Sequence, residues 1–324
     1  MLNFRTDLAI EAKEHYAKEH KNEIDGVIVE EEIINDSKVT KVKIESEEGA
    51  KKLGKPIGNY ITIDIPEHTV YDGELMDDLS KAVGISLKDL VGLSEDKLVL
   101  VVGLGNRKVT PDALGPKVVD KIMITRHLKE VMPDTIDDSI RPVCAIAPGV
   151  LGITGIETGE VIKALVDKIK PDMVICIDAL ASRRIQRVNR TIQISDTGIS
   201  PGAGVNNHRM RINEETLGIK VIAIGVPTVV DAATIANDSI DLVIDELISQ
   251  SEEGSDFYKM IKNIDKNEKS ALIKELLNPY VGDLMVTPKE VDLVIDSLSK
   301  IISNAINIAI QPNLEMEDIN KFMN

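Results

Sequence analysis

Aromatic residues are almost absent from this chain: three Phe, five Tyr and no Trp, 2% of 324 residues. Any core must therefore be aliphatic, built from Ile, Val, Leu and Ala. Basic residues are the minority, 38 against 54 acidic, for a net charge of −16. That excludes a generally basic face of the kind needed for non-specific binding to nucleic acid or anionic membranes, and says less about protein partners. Cysteine occurs twice, at Cys144 and Cys176, both inside apolar stretches. There is no disulfide framework and no CxxC metal site, and both read as small buried core residues. The N-terminus lacks the apolar core of a secretory signal, and no run approaches a membrane span, so a cytoplasmic soluble protein is expected. The histidines (His15, His20, His68, His127, His208) fall in no HExxH spacing, and no Ser sits in a Gly-x-Ser-x-Gly elbow. There is no internal repeat and no low-complexity tract.

What is present is a chain 43% hydrophobic, long enough for one large core. Residues 1–25 are polar and helix-prone. Val27–Ile34, Val39–Ile44 and Tyr60–Ile65 read as strands of a small antiparallel unit over 26–66, the first two separated by the turn signal Asn35-Asp36-Ser37. A helix follows over Asp77–Val91. From residue 97, strands (97–103, 142–147, 172–178, 191–195, 219–225) alternate with helices (112–130, 156–169, 231–249). This order predicts an α/β fold with a largely parallel sheet covered on both faces. Residues 250–283 read as an insertion or edge, helical at Phe257–Leu277. Thr287-Pro288-Lys289-Glu290 predicts a capping box opening a final long helix, one face of which carries Val291, Val294, Leu298, Ile302, Ala305 and Ala309.

Two acids stand at the mouths of apolar runs. Leu98–Gly105 leads to Asp112, and Met173–Ile177 leads directly to Asp178. Runs rich in Val and Ile are strands buried on both faces of a parallel sheet, and sites form beyond their carboxyl ends. Two neighbouring carboxylates are a route to acid–base catalysis. Each also has an ordinary structural explanation. Asp112 follows the N-cap Thr110 and Pro111 and suits a first helical turn. Asp178, costly to bury alone, has Arg183, Arg184 or Arg187 as salt-bridge candidates. Gly103-Leu104-Gly105 is not a dinucleotide fingerprint, because Lys108 stands where its third glycine belongs. His208 lies in a glycine-rich loop with Gly202 and Gly204, and could line a site or simply be solvated. Asp231 follows another strand end, where it could bind a substrate residue or cap its helix, and capping is the favoured reading.

Beyond these physical readings, the blocks around the two acids are specific. Gly103-Leu104-Gly105-Asn106, Thr110-Pro111-Asp112-Ala113-Leu114-Gly115-Pro116, Ala147–Thr158 and Ile177-Asp178-Ala179-Leu180-Ala181-Ser182-Arg183 closely resemble the germination protease family of spore-forming bacteria. So do Pro201–Val205, Gly225–Ala232 and Met285–Glu290, in the family's order and across nearly the whole chain. The resemblance implies a three-layer α/β/α sandwich similar to hydrogenase maturation proteases. It implies an atypical aspartic endopeptidase that degrades small acid-soluble spore proteins at germination, working in the forespore and spore core as a homotetramer without a cofactor. The family's catalytic aspartates fall on Asp112 and Asp178. The family cuts after an acid at sites like Thr-Glu-(Ile or Phe)-Ala-x-Glu, and Thr6-Asp7-Leu8-Ala9-Ile10-Glu11 matches that pattern. A self-processing zymogen is implied, cut between Asp7 and Leu8, with prosegment 1–7 and a single peptidase domain over 8–324.

Two carboxyls sharing a site favour one protonated and one ionised group, and a helix start favours Asp112 as the ionised base. Backbone N–H groups of Gly103–Asn106 or Thr110–Ala113 are candidate oxyanion donors. Asn106, Arg183, Arg184, Gly202 and Gly204 are candidate substrate-binding residues, with the arginines, Arg187 included, as a cationic pocket for the substrate acid. Two alternatives remain: a metal-dependent maturation-type peptidase, and a non-enzymatic α/β ligand-binding module.

Overall fold

A computed structural model describes the chain except residues 1–5, 20–23, 93, 95, 133, 202–209, 264–267, 270, 274, 277–283 and 324. Among the described residues nine strands form one sheet: β1 (Val27–Ile34), β2 (Ser37–Ile44), β3 (Gly58–Asp64), β4 (Val99–Gly103), β5 (Val143–Ile146), β6 (Met173–Ser182), β7 (Thr191–Ser195), β8 (Lys220–Asp231) and β9 (Met285–Val286). Their order is β1-β2-β3-β7-β8-β6-β4-β5, with β9 on β8. Strands β8, β6, β4 and β5 are mutually parallel, as the βα alternation predicts. The expected antiparallel unit is present, and β3 pairs with β7, so it extends the main sheet.

Helices cover both faces of the parallel block. On one, Val101, Ile175, Ile177 and Ile224 pack under helices Gly73–Val91, Leu114–Val119 and Val291–Ile310. On the other, Leu100, Val102, Val174 and Cys176 meet Ile162 and Val166 of helix Thr158–Ile169. The aliphatic core expected from the shortage of aromatics is what fills both layers. Against the expectation that no run approaches a membrane span, helix Val291–Ile310 is long and apolar enough by composition to cross one, although Asp292, Asp296 and Lys300 interrupt its apolar positions. It is mostly buried in the protein and is a core helix.

Several element limits differ from expectation. Strand β6 does not end at Asp178 but continues to Ser182, because β8 also runs on and the two pair beyond the end of β4. The helix expected over 112–130 is broken into a 3₁₀ turn at Thr110–Asp112 and helices Leu114–Val119 and Arg126–Val131. Thr287 does not cap the last helix. Its hydroxyl donates to the Thr228 carbonyl at 2.9 Å while the adjacent Met285–Val286 pairs with β8. Helix Asp256–Lys262 lies in the expected insertion; much of 264–283 lies outside the described residues.

Candidate active site

The chain leaves β4 toward β5 along one face of the sheet, and returns from β5 to β6 along the other, so a crevice opens between the carboxyl ends of β4 and β6. A cavity of about 730 Å³ lies there, and both Asp112 and Asp178 line it. Asp112 is placed by close glycine packing. A Cβ on Gly105 (φ +110°) would lie 2.0 Å from the Asp112 carbonyl oxygen, and one on Gly115 would lie 2.3 Å from the Leu104 carbonyl oxygen. The Asp112 carboxylate turns back to accept the Asn106 backbone N–H at 2.7 Å, and Thr110 is not the N-cap expected: it lies inside the turn and its hydroxyl donates to Asp292 at 2.9 Å. Asp178 is 8% exposed, stands opposite Gly225 of β8, and accepts the Ala179 N–H at 2.9 Å.

The candidate processing site enters the same cavity, which Thr6 and Asp7 also line. Asp7 pairs with the extension of β6: its carboxylate accepts the Ala181 N–H at 2.9 Å, and its own N–H donates to the Ala181 carbonyl at 3.3 Å. Leu8 and Ile10 are buried against Leu180, two residues beyond Asp178. Glu11, 2% exposed, accepts the backbone N–H groups of Arg183 and Arg184 at 2.8 and 2.9 Å, together with the Thr6 hydroxyl. β6 and the two residues that follow it thus contact the acid, both large aliphatic residues and the final Glu of Thr6–Glu11.

The predicted cationic pocket has other partners. Arg183 forms two 2.7 Å hydrogen bonds to Asp238, which raise its guanidinium pKa against the opposing effect of burial. Arg184 pairs with Glu14 at 2.9 Å, and Arg187 with Glu14 and Asp64 at 2.7 and 3.2 Å. Backbone N–H groups beside two of these arginines, rather than their side chains, receive the acid. Four of the expected backbone oxyanion donors are engaged elsewhere: Leu104 N–H donates to Ile177, Asn106 N–H to Asp112, and the Asp112 and Ala113 N–H groups to Val109 and Thr110. Asn106 supports Asp112 and does not line the cavity. Gly202, Gly204 and His208 lie outside the described residues. Asp231 caps helix Ala232–Gln250 through the Ala233 and Thr234 N–H groups. Burial pushes the Cys176 thiol far up and the Cys144 thiol up as well, which disfavours either as a thiolate nucleophile. Among the described residues, no three His, Cys, Asp or Glu side chains gather as a metal site would require.

Two residues carried no motif and were missed: Lys55 and Gln193. Lys55 follows helix Glu47–Leu53, where Gly54 (φ 63°) turns the chain toward the cavity. Its Nζ donates to the carbonyls of Thr6 and Asp7, both at 3.0 Å. Burial lowers its ammonium pKa, while the charges of Asp7 and Glu11 pull the other way. Gln193 donates to the Asp7 carbonyl at 3.1 Å and accepts the Ala9 N–H at 2.7 Å. A lone long amide inside the buried strand Thr191–Ser195 was the available signal.

The germination protease family model matches residues 5–256 and 243–323. A germination protease of Clostridium perfringens is 68% identical over all of both chains. That of Clostridium tetani is 60% identical, also over all of both. That of a Geobacillus strain is 42% identical over 99% of this chain and 97% of its own.

Proposed function

We propose, for a chain that belongs to the germination protease family, that its protease activity is that of an aspartic endopeptidase with Asp112 and Asp178 as the catalytic pair. Its substrates in this reading are small acid-soluble spore proteins, degraded at germination in the spore core. It is made as a zymogen that cuts itself between Asp7 and Leu8, and it works as a homotetramer with one peptidase domain over 8–324. The observation that carries the reading is the convergence of Asp112, Asp178 and the acid of a substrate-like segment on one cavity.

The chemistry follows from two carboxyls that cannot easily both ionise. The ionised one takes a proton from water as the water oxygen bonds to the Asp7 carbonyl carbon. The protonated one hydrogen-bonds the carbonyl oxygen, then passes its proton to the Leu8 nitrogen as the C–N bond breaks. The Asn106 backbone N–H donates to the Asp112 carboxylate, which suits Asp112 to the base role.

N-terminal sequencing of purified wild type beside Asp112→Asn and Asp178→Asn tests this. Leu8 should become the wild-type N-terminus, and each variant should mature slower by on the order of 10³-fold or more. Full maturation of Asp178→Asn in the absence of another protease would remove the dyad.

A further inference from the structure

Lys55 and Gln193 both aim a donor at one oxygen, the Asp7 carbonyl, at 3.0 and 3.1 Å. That is the carbonyl of the bond assigned above to self-processing, and the reasoning here rests on that assignment. We propose that Lys55 and Gln193 form the oxyanion site of this protease, stabilising the charge that gathers on the scissile carbonyl oxygen when water adds.

The sheet register brings Gln193 into play. Gln193 of β7 and Asp178 of β6 stand opposite the same residue, Gly225 of β8. Register partners share a face, so both side chains rise from the same side of the sheet, and neighbouring strands about 4.8 Å apart put them roughly 10 Å from one another. The residue between them has no side chain. Leu180 lies over it, within 2.5 Å of where a Cβ would be, and Leu180 is also the residue that packs against Leu8. The leaving-group side of the bond therefore sits over Gly225, between the proposed acid and the proposed donor. Gln193 also spans the bond: its amide N–H₂ holds the carbonyl on the acid side and its oxygen holds the Ala9 N–H two residues beyond.

Lys55 adds charge where it is needed. A cation in a partly desolvated site stabilises a developing oxyanion far more than in water. Both of the carbonyls that Lys55 contacts belong to residues on the prosegment side of the cut. If it served only to fasten the prosegment, its removal would free the N-terminus without slowing the chemistry. The same two donors would meet the carbonyl that follows the acid of an incoming protein substrate, once that segment takes the place of Thr6–Asp7.

The test uses the full-length chain as wild type, Lys55→Met, Lys55→Arg, Gln193→Leu and Gln193→Glu, with N-terminal mass followed over time and thermal melting run in parallel. Gln193→Glu keeps the acceptor for Ala9 and removes the donor toward Asp7, so it separates anchoring from catalysis if the Leu variant fails to fold. Lys55→Arg keeps the cation. Lys55→Met and both Gln193 variants should mature about 10²–10³-fold more slowly, with Lys55→Arg closer to wild type. On a peptide carrying Thr-Asp-Leu-Ala-Ile-Glu, kcat should fall with little change in KM. Wild type that acquires a Leu8 N-terminus at the same rate as folded Lys55→Met and Gln193→Glu overturns this proposal alone. Wild type that never acquires Leu8 overturns it together with the processing assignment.

Discussion

Single residues without side chains do as much to build this site as the acids themselves. Gly103, Gly105 and Gly115 let the end of β4, the Asp112 turn and helix Leu114–Val119 touch backbone to backbone. A Cβ on Gly115 would lie 2.3 Å from the Leu104 carbonyl oxygen and 2.6 Å from that of Ile177. Neither neighbour is a side chain that could turn away, so Gly115→Ala must push the helix off the sheet and carry Asp112 with it. The expected loss is about 1–3 kcal/mol in urea unfolding, with self-processing slowed by about 100-fold from the misplaced acid. An alanine variant as stable and as active as wild type would contradict the packing argument. Tyr60 makes a different kind of lock. It is 3% exposed and its hydroxyl donates to the Pro56 carbonyl at 2.8 Å, next to Lys55. Burial pushes its phenol from 10.0 up to about 12. The folded protein therefore keeps a proton that the unfolded chain releases near its ordinary value. Its contribution is complete below about pH 10 and is lost as pH rises from there through about 12. Wild type should lose about 1 kcal/mol more than Tyr60→Phe between about pH 9 and pH 11, read as the difference between their urea midpoints at each pH. Parallel pH curves would show that Tyr60 does not titrate as its burial requires.

At the scale of elements, the sequence revealed strands better than helices, and the reason is physical. Runs such as Val99–Gly103 and Met173–Ile177 are buried on both faces, so their apolar content alone marks them. Helix limits depended on partners far away in the chain. Residues 112–130 look helical, but Asn307 in the core helix accepts the Met123 N–H and donates to the Lys121 carbonyl, supplying side-chain partners where a continuing helix would have supplied its own. The Thr287 capping signal lost to strand pairing for the same reason: β8 was already extended to Asp231 and offered a ladder. The site divides along the same line. The aspartates were visible as acids at the ends of apolar runs, and the matching segment Thr6–Glu11 was visible as a pattern. What reads Glu11 was not, because backbone N–H groups of Arg183 and Arg184 do the reading and a backbone donor leaves no trace in residue identity. The arginine side chains drew attention instead, although Asp238, Glu14 and Asp64 already hold them.

For the whole molecule, the surface carries a feature that neither the core nor the cavity explains. Helix Ala232–Gln250 runs for 19 residues without one that is buried, yet Ile240, Leu242, Val243 and Leu247 are exposed along it, Leu242 at 71% and Val243 at 59%. Among the described residues such a helix gains little apolar burial, and an isolated helix of this length is marginal in water. A chain with net charge −16 would normally be kept apart from its copies by repulsion. Ile240, Val243 and Leu247, three and four residues apart, share one apolar helix face that is open among the described residues and favours association, and burial of these side chains between copies would contribute about 1.5–3 kcal/mol each. This supports the proposed homotetramer, whose contact is tested on this helix. Val243→Glu combined with Leu247→Glu should reduce the mass found by light scattering from four times 35.5 kDa toward that of a smaller species, without lowering the helical signal of the remaining fold. A double variant that still sediments as a tetramer would place the subunit contact elsewhere. Wild type that is monomeric at micromolar concentration would remove the tetramer itself.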